Sequence, residues 1–488
     1  MATCRITQAL LLVAAVTLPL SAQWSQFRGP NASGISNATN LPTEFGPEKN
    51  VVWKTSLPPG HSSPIVFGDR IFFTAIENEK LVVSADKVFP TEDGTLWTIC
   101  VDRITGKILW KKQAPRPRRE QFQRTNTSAS TSPVTDGRAV YVFFGDFGLL
   151  AYDMNGAEKW RLPLGPFINM NGYGTSPILE GDMLIQILDQ DSGGYMIALN
   201  KETGKTLWKI DRSEVTRGYG TPVVYRPQQG PAELIVPGAY LLISYDVKTG
   251  EKLWWMRGMS WHPKASPVLD GDMLFVQSWE SGGEVETPAE TPTFEAALAT
   301  YDTNKDGKIA MDEMSPRMRA PNTGLDPDGD GVLQEKDWDF YRARLAARNS
   351  LLAVKLGGAR GDLSKTNLMW SMNRFIPNVP SMLIHEGVLY LMKEGGILTS
   401  LDPKDGKILK QARLTGALGQ YWASPVYADG KIYLTSEECK ITVLKPGGQW
   451  EIVATNALDD TCFATPAPVG DHLYIRTKTA LYSFAKQP

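Results

Sequence analysis

Apolar residues in this chain come in short alternating runs, such as Met273-Leu274-Phe275-Val276, broken by Gly and Pro every five to eight residues. Runs of that length, rich in β-branched and aromatic residues, predict strands rather than helices. A Ser/Thr-Pro dipeptide opens one group of strands after another. It stands at Ser63-Pro64, Ser132-Pro133, Ser176-Pro177, Thr221-Pro222, Ser266-Pro267, Ser424-Pro425 and Thr465-Pro466, with Pro380-Ser381 as an altered eighth. Five of the seven intervals between these prolines are about 44 residues; the first (64 to 133) and fifth (267 to 380) are longer, as two insertions into a regular array would make them.

A second pattern recurs inside each unit. The third strand ends in Asp or Asn, followed by Thr-Gly and a Trp four residues beyond the Gly: Asp102…Gly106…Trp110, Asn200…Gly204…Trp208 and Asp246…Gly250…Trp254, with Asp153…Gly156…Trp160 lacking the Thr. Gly in such a turn adopts the positive φ that other residues resist. A Trp at a fixed place on the outer strand can wedge between neighbouring sheets. Forty-odd residues per four-stranded unit is the propeller period. The expectation is an all-β chain, an eight-bladed β-propeller of four-stranded blades. The last unit ends at Leu481-Tyr482-Ser483-Phe484 without its Trp strand, while Val51-Val52-Trp53-Lys54 is an orphan near the start. Residues 50–57 are therefore expected to complete blade eight and remove its open edge.

The Asp-x-x-Thr-Gly-x-x-x-Trp strings resemble the PQQ-like repeat family, and Trp24-Ser25-Gln26-Phe27-Arg28-Gly29-Pro30 resembles the opening of its exported bacterial members. Lys410 replaces the Trp in unit six, and the motif is blurred in units five and seven. The resemblance implies the fold and brings PQQ forward as a cofactor candidate. It does not carry over the catalytic residues of the quinoprotein alcohol dehydrogenases: no two cysteines are adjacent here to match their vicinal pair, and no catalytic Asp with calcium ligands aligns.

The fifth unit is interrupted between Gln277-Ser278-Trp279 and Leu351-Leu352-Ala353-Val354. Within the interruption stand Asp302-x-Asn304-x-Asp306-Gly307-x-Ile309-x-x-x-Glu313 and Asp326-x-Asp328-x-Asp330-Gly331-x-Leu333-x-x-x-Asp337. Both match the EF-hand calcium loop. Side-chain oxygens come from positions 1, 3, 5 and 12 and a backbone carbonyl from position 7, which is Lys308 in one loop and Val332 in the other. Ile309 and Leu333, at position 8, are placed to pair the loops. Phe294, Ala297, Leu298 and Tyr301 share a helical face before the first loop, as do Trp338, Tyr341 and Leu345 after the second. The organisation predicted is a signal peptide over 1–22, propeller over 23–284 and 351–488, and an α-helical EF-hand pair with two Ca²⁺ sites over 285–350, separable from the ring.

Composition adds little beyond this. Net charge is −2 with 21% charged residues, which gives no bulk attraction to nucleic acid or anionic membrane. Arg5, the apolar run Ala9 to Leu20 and Leu20-Ser21-Ala22 read as an export signal too short to span a bilayer, with no other transmembrane candidate. Cys4 precedes that run, so the expected location is periplasmic or extracellular without a lipid anchor. Export permits a disulfide. Cys439–Cys462 is one pairing among Cys100, Cys439 and Cys462, and one thiol is left over.

The segments before each Ser/Thr-Pro should converge on the axis. They supply His61, Asn126, Asn171, Tyr173, Arg217, Tyr219, Trp261, His262, Lys264, Gln420, Tyr421, Trp422 and Asp460. Of these, His61, Tyr173, Arg217, Tyr219, Trp261, His262, Lys264, Tyr421 and Trp422 are the candidates for holding a cofactor or small ligand; the same set equally suits an axis plugged by aromatics. The cluster Arg116, Arg118, Arg119 and Arg124 reads as a solvated loop or a dock for an anionic partner. Three functions fit: an exported calcium-binding scaffold or binding protein, a PQQ-dependent oxidoreductase, or an envelope protein-assembly module with a protein partner.

Overall fold

The computed structural model describes residues 23–487 except 85–86, 92, 192, 282, 285–290, 320–324 and 327–328; the expected signal peptide, its cleavage site, the first residues of the insertion and Asp328 lie outside the described residues. The described chain is all-β apart from helices α1 (Phe294–Tyr301) and α2 (Glu335–Ala346) and two short 3-10 turns. No helix among the described residues is long and apolar enough to cross a membrane.

The strands of the described residues form eight sheets of four or five strands, besides a two-stranded and a three-stranded one. The second of the eight is the simplest: Val134–Thr135, Ala139–Phe144, Gly148–Asp153 and Glu158–Pro163 follow one another as an antiparallel meander. The two middle strands are buried on both faces and the outermost is half exposed, as expected when sheets pack against each other near an axis. In the last sheet the fourth place is taken from far upstream. Val51–Ser56 pairs antiparallel with Ala480–Phe484, Trp53 opposite Ser483 and Lys54 opposite Tyr482.

The Ser/Thr-Pro dipeptides form a belt. Ser63 N–H donates to Ser132 Oγ (2.9 Å), Ser132 N–H to Ser176 Oγ (2.9 Å) and Ser176 N–H to Thr221 Oγ1 (3.1 Å). Beyond a gap, Ser266 N–H donates to Ser381 Oγ (2.9 Å), Ser381 to Ser424 (3.0 Å), Ser424 to Thr465 (3.0 Å) and Thr465 back to Ser63 (3.0 Å). The dipeptide thus has a physical reason. Its hydroxyl accepts from the neighbouring sheet, and the following proline holds the Ser or Thr extended. Ser381 keeps its place although Met382 follows it.

The Trp motif forms an outer belt. Trp110 Nε1 donates to Met154 O (3.0 Å), Trp160 to Lys201 O (2.8 Å), Trp208 to Val247 O (3.2 Å), and Trp53 and Trp370 reach Arg103 O and Pro403 O of the next sheet. Gly106 lies so close beneath Trp53 that a Cβ there would sit 2.6 Å from the indole, and its φ is +71°, so the turn requires glycine twice over. In unit six the Lys410 ammonium donates to Trp450 O (2.6 Å), doing the missing indole's work.

Residues 27–36 cross one end of the axis. The Arg28 guanidinium is buried and donates to Met382 O (2.5 Å), Asn31 exchanges two hydrogen bonds with the Val224 backbone, and Ser36 bonds to Tyr427 O and Pro468 O. Cys439 and Cys462 are disulfide-bonded, and Cys100 is a free thiol inside the first sheet, pushed up to about 12 by burial. Three of the four clustered arginines prove structural rather than solvated, while Arg124 is exposed. Arg116 is buried with Glu79 and Asp146 (Nε to Oδ2, 2.6 Å), and Arg118 pairs with Glu120 (2.5 Å). With Arg119 on Thr91 O, these tie the base of the hairpin Leu81–Ser84 with Lys87–Pro90, which belongs to the separate three-stranded sheet, to the second sheet.

Candidate functional site

An axial cavity of about 560 Å³ opens above the belt. Seven of the eight belt residues line it, all but Ser266, and Phe27 of the crossing segment lies at its wall. Of the nine cofactor-site candidates, His61, Tyr219, His262, Lys264 and Trp422 line the cavity, as do Asn126 and Asn171. The other four face elsewhere. Tyr173 is buried edge-on to Phe143 and Phe167, Arg217 is ion-paired to Asp191 (2.5 Å), and Tyr421 is buried with its hydroxyl on Ala417 O (2.7 Å). Trp261 is buried beneath Tyr240 and touches the Arg217 and Arg344 guanidiniums. Gln420 and Asp460 likewise do not line the cavity; Asp460 caps the turn at Thr479.

The cavity's chemistry is aromatic and polar. The His61 ring stacks on Phe463 with centroids 3.9 Å apart, and Phe463 stacks in turn on Trp422. Desolvation, with Arg476 and Lys478 nearby, drives His61 down to about 3, so its imidazole is neutral. Burial also holds His262 neutral, well below the usual histidine range, and its buried Nε2 has no hydrogen-bond partner. Trp422 Nε1 is fixed by Glu437 (2.8 Å).

Several lining residues escaped the sequence reading. Trp279, Glu280 and Ser281 follow the second strand of the fifth sheet rather than precede a Ser/Thr-Pro, Asn378 and Phe463 stand in belt-leading segments without drawing notice, and Arg344 comes from α2. The insertion leaves the fifth sheet between Met273–Ser278 and Ser350–Lys355, which pair directly. It has its own core of Ala297, Ile309, Met314, Leu325, Leu333 and Trp338. A second face of α2, Phe340 and Ala343, packs with the capping residue Ala347 on Tyr240 and Trp261 of the ring. The insertion is therefore docked rather than free.

Within it, Ile309 pairs with Leu333 and Ala310 with Val332 as a two-stranded ladder. The two loops share a pattern: Asp302 Oδ2 accepts from Gly307 N–H (2.9 Å) and Asp326 Oδ2 from Gly331 N–H (3.0 Å). Asp306 accepts from Lys308 N–H and Asp330 from Val332 N–H, while Asn304 accepts from Asp306 N–H. Glu313 bonds the backbone amides of Ala310, Thr303 and Asn304, which hold its carboxyl below the usual range, and Asp337 accepts from Gln334 N–H. Among the described residues no three such groups are gathered as a metal cluster.

Comparison with known proteins bears on the ring. A family model described as outer membrane protein assembly factor BamB matches residues 46–172. A 90-residue stretch is 38% identical to methanol dehydrogenase (cytochrome c) subunit 1 of Methylorubrum extorquens; it covers 17% of this chain and spans 13% of that relative's length. BamB from Moraxella catarrhalis aligns over 88% of this chain and 100% of its own, with TM-score 0.50 and 12% identity. A europium-containing methanol dehydrogenase aligns over 87% and 89%, with TM-score 0.47 and 13% identity. Over residues 46–172 the family match agrees with the PQQ-like repeat read from the motifs, and the BamB likeness is one of fold.

Proposed function

We propose that this chain is an exported binding protein, a closed ring of eight four-stranded blades that holds a small ligand in its axial cavity and calcium in its insertion. The observation that carries the reading is the cavity itself. Its volume lies in the range of small-molecule sites, and it joins stacked aromatic rings to a few converging amides, hydroxyls and cations. The ring would comprise residues 23–284 and 351–488, with 285–350 as the EF-hand pair.

Calcium would be held in the first loop by Asp302, Asn304, Asp306, Glu313 and the Lys308 carbonyl. In the second it would be held by Asp326, Asp328, Asp330, Asp337 and the Val332 carbonyl. The shared aspartate-to-glycine bonds and the Ile309–Leu333 pairing support this assignment. The first loop should bind more tightly, because Glu reaches an ion with both oxygens where the shorter Asp337 must move the loop. Titration calorimetry is expected to show two events, the tighter at about 10⁻⁴–10⁻³ M and lost in Glu313→Gln. Heat unchanged by both Glu313→Gln and Asp337→Asn would refute the sites.

The oxidoreductase reading fits the cavity less well. The quinoprotein reading calls for a catalytic carboxylate, and among the described residues the carboxylate lining the cavity, Glu280, is ion-paired with Arg344 at 3.0 Å. The free thiol, Cys100, is buried in a strand of the first sheet, and Cys439 and Cys462 are bonded across 23 residues rather than vicinal. Protein supplied with PQQ, Ca²⁺ and a panel of alcohols is expected to leave an acceptor dye unreduced. Dye reduction would overturn the binding-protein reading.

A further inference from the structure

The cavity wall beside the insertion carries two cations, Lys264 and Arg344. The Lys264 ammonium donates to Asn378 Oδ1 (2.6 Å) and lies 5.1 Å from the Trp279 ring centroid, and among the described residues no carboxylate is within ion-pair distance of it. Burial lowers this lysine to about 8. Arg344 stands in the same wall, carried there by α2, whose Phe340 is one turn earlier on the face that packs against Trp261. Glu280 bonds to Arg344 and, with Glu394, acts on Lys264 only from beyond ion-pair distance. The neutral His262 adds its unpartnered, buried Nε2. A desolvated cation with no carboxylate in contact is costly, and a ligand that brings a negative charge against it offsets that cost.

We infer that Lys264, His262 and Arg344 form an anion subsite, which binds the carboxylate of a small organic acid whose apolar body lies among the cavity's aromatic rings. This rests on the small-ligand reading above and assigns that ligand its chemical class. It also gives the insertion a part in recognition: it supplies Arg344, a residue the ring lacks.

The probes are 2-naphthoate and its neutral counterpart 2-naphthamide, titrated against the full mature chain by ligand-observed NMR. At pH 7 the acid is expected to bind about tenfold more tightly than the amide, the scale of one charge-assisted hydrogen bond. Lys264→Met should erase that preference. Asn378→Asp, which sets a carboxylate beside the lysine within the fold, should do the same while keeping the cation. Arg344→Leu should weaken the acid alone, with Arg344→Lys restoring part of the loss. Raising the pH through 8 removes the lysine's proton, so the preference should shrink by pH 9 in the intact protein and stay flat in Lys264→Met. The charges acting on the ammonium are Glu280 and Glu394, and His262 lies in the field of Lys264, Arg217 and Arg344; the Lys264→Met titration separates their contribution from the lysine's. Equal binding of acid and amide in intact protein and variants alike overturns the anion subsite and leaves the small-ligand reading standing. Failure of both probes to bind overturns the two together.

Discussion

The junction between the fourth and fifth sheets is built differently from the others. Between the second and third sheets, for example, Ser132 donates to Ser176 in the inner belt and Trp160 donates to Lys201 O in the outer one. Between the fourth and fifth, both devices are missing. Ser266 Oγ is buried without a hydrogen-bond partner, and Trp254 Nε1 turns back to Glu233 of its own sheet (2.7 Å). Three other contacts stand in their place. Gly361–Asp362 adds a parallel strand beside Trp254–Trp255, Arg360 reaches the buried Glu233 (2.9 Å), and α2 packs on Tyr240 and Trp261. This is also the junction beside which the long insertion emerges. A repeat can lose its own joints when neighbouring segments bring others: α2 comes from the insertion, while Arg360 and Gly361–Asp362 come from the altered turn of unit five.

The largest test removes the strap. Replacing residues 285–348 with a short Gly/Ser turn uncovers Tyr240 and Trp261, and the thermal midpoint should fall by about 5 °C or more. The same midpoint as the intact chain would make the insertion an appendage and return the comparison to sequence alone. Next is Arg360→Ala, which deprives the buried Glu233 of a charged donor and should cost about 1.5 kcal/mol by denaturant unfolding. Trp160→Phe, at an ordinary junction, removes one neutral bond and should cost about 1 kcal/mol. If the two rank in reverse, the substitute contacts carry less than the joints they replace. The finest test compares two belt serines. Ser176→Ala strands the Ser132 amide and should cost about 1 kcal/mol, whereas Ser266→Ala should stay within about 0.5 kcal/mol of the intact protein. Equal costs would mean that Ser266 has a partner after all.

What could be read from sequence was what repeats. Ser/Thr-Pro and Thr-Gly-x-x-x-Trp each satisfy a bond to the adjacent sheet, so they recur at the spacing of the sheets, and spacing is visible in one dimension. The orphan strand at Val51 was legible for a related reason: a unit short of one strand and a strand without a unit had to meet. The site was legible by half. His61, Lys264 and Trp422 stand at a repeated position, but Glu280 and Arg344 do not, and their pairing spans 64 residues. The inward face of α2 was found because Trp338 and Tyr341 pack within the insertion. Its ring-facing side was not, because the partners of Phe340 are Tyr240 and Trp261, about a hundred residues upstream. The arginine cluster misled for the same reason, since the counter-ions of Arg116, Glu79 and Asp146, are remote in the chain.

The pairing of Val51–Ser56 with Ala480–Phe484 also sets an order of events. The strand that finishes the circle leaves the ribosome early, and its partner comes more than four hundred residues later. Until then Val51–Ser56 has no edge to join, and the last sheet has one edge too many. Contacts between such distant segments form slowly, and unpaired edges invite aggregation while they wait. Were the sheets to form in chain order, the chain would wait as an open arc until Ala480–Phe484 arrives, and that is when a chaperone would matter most.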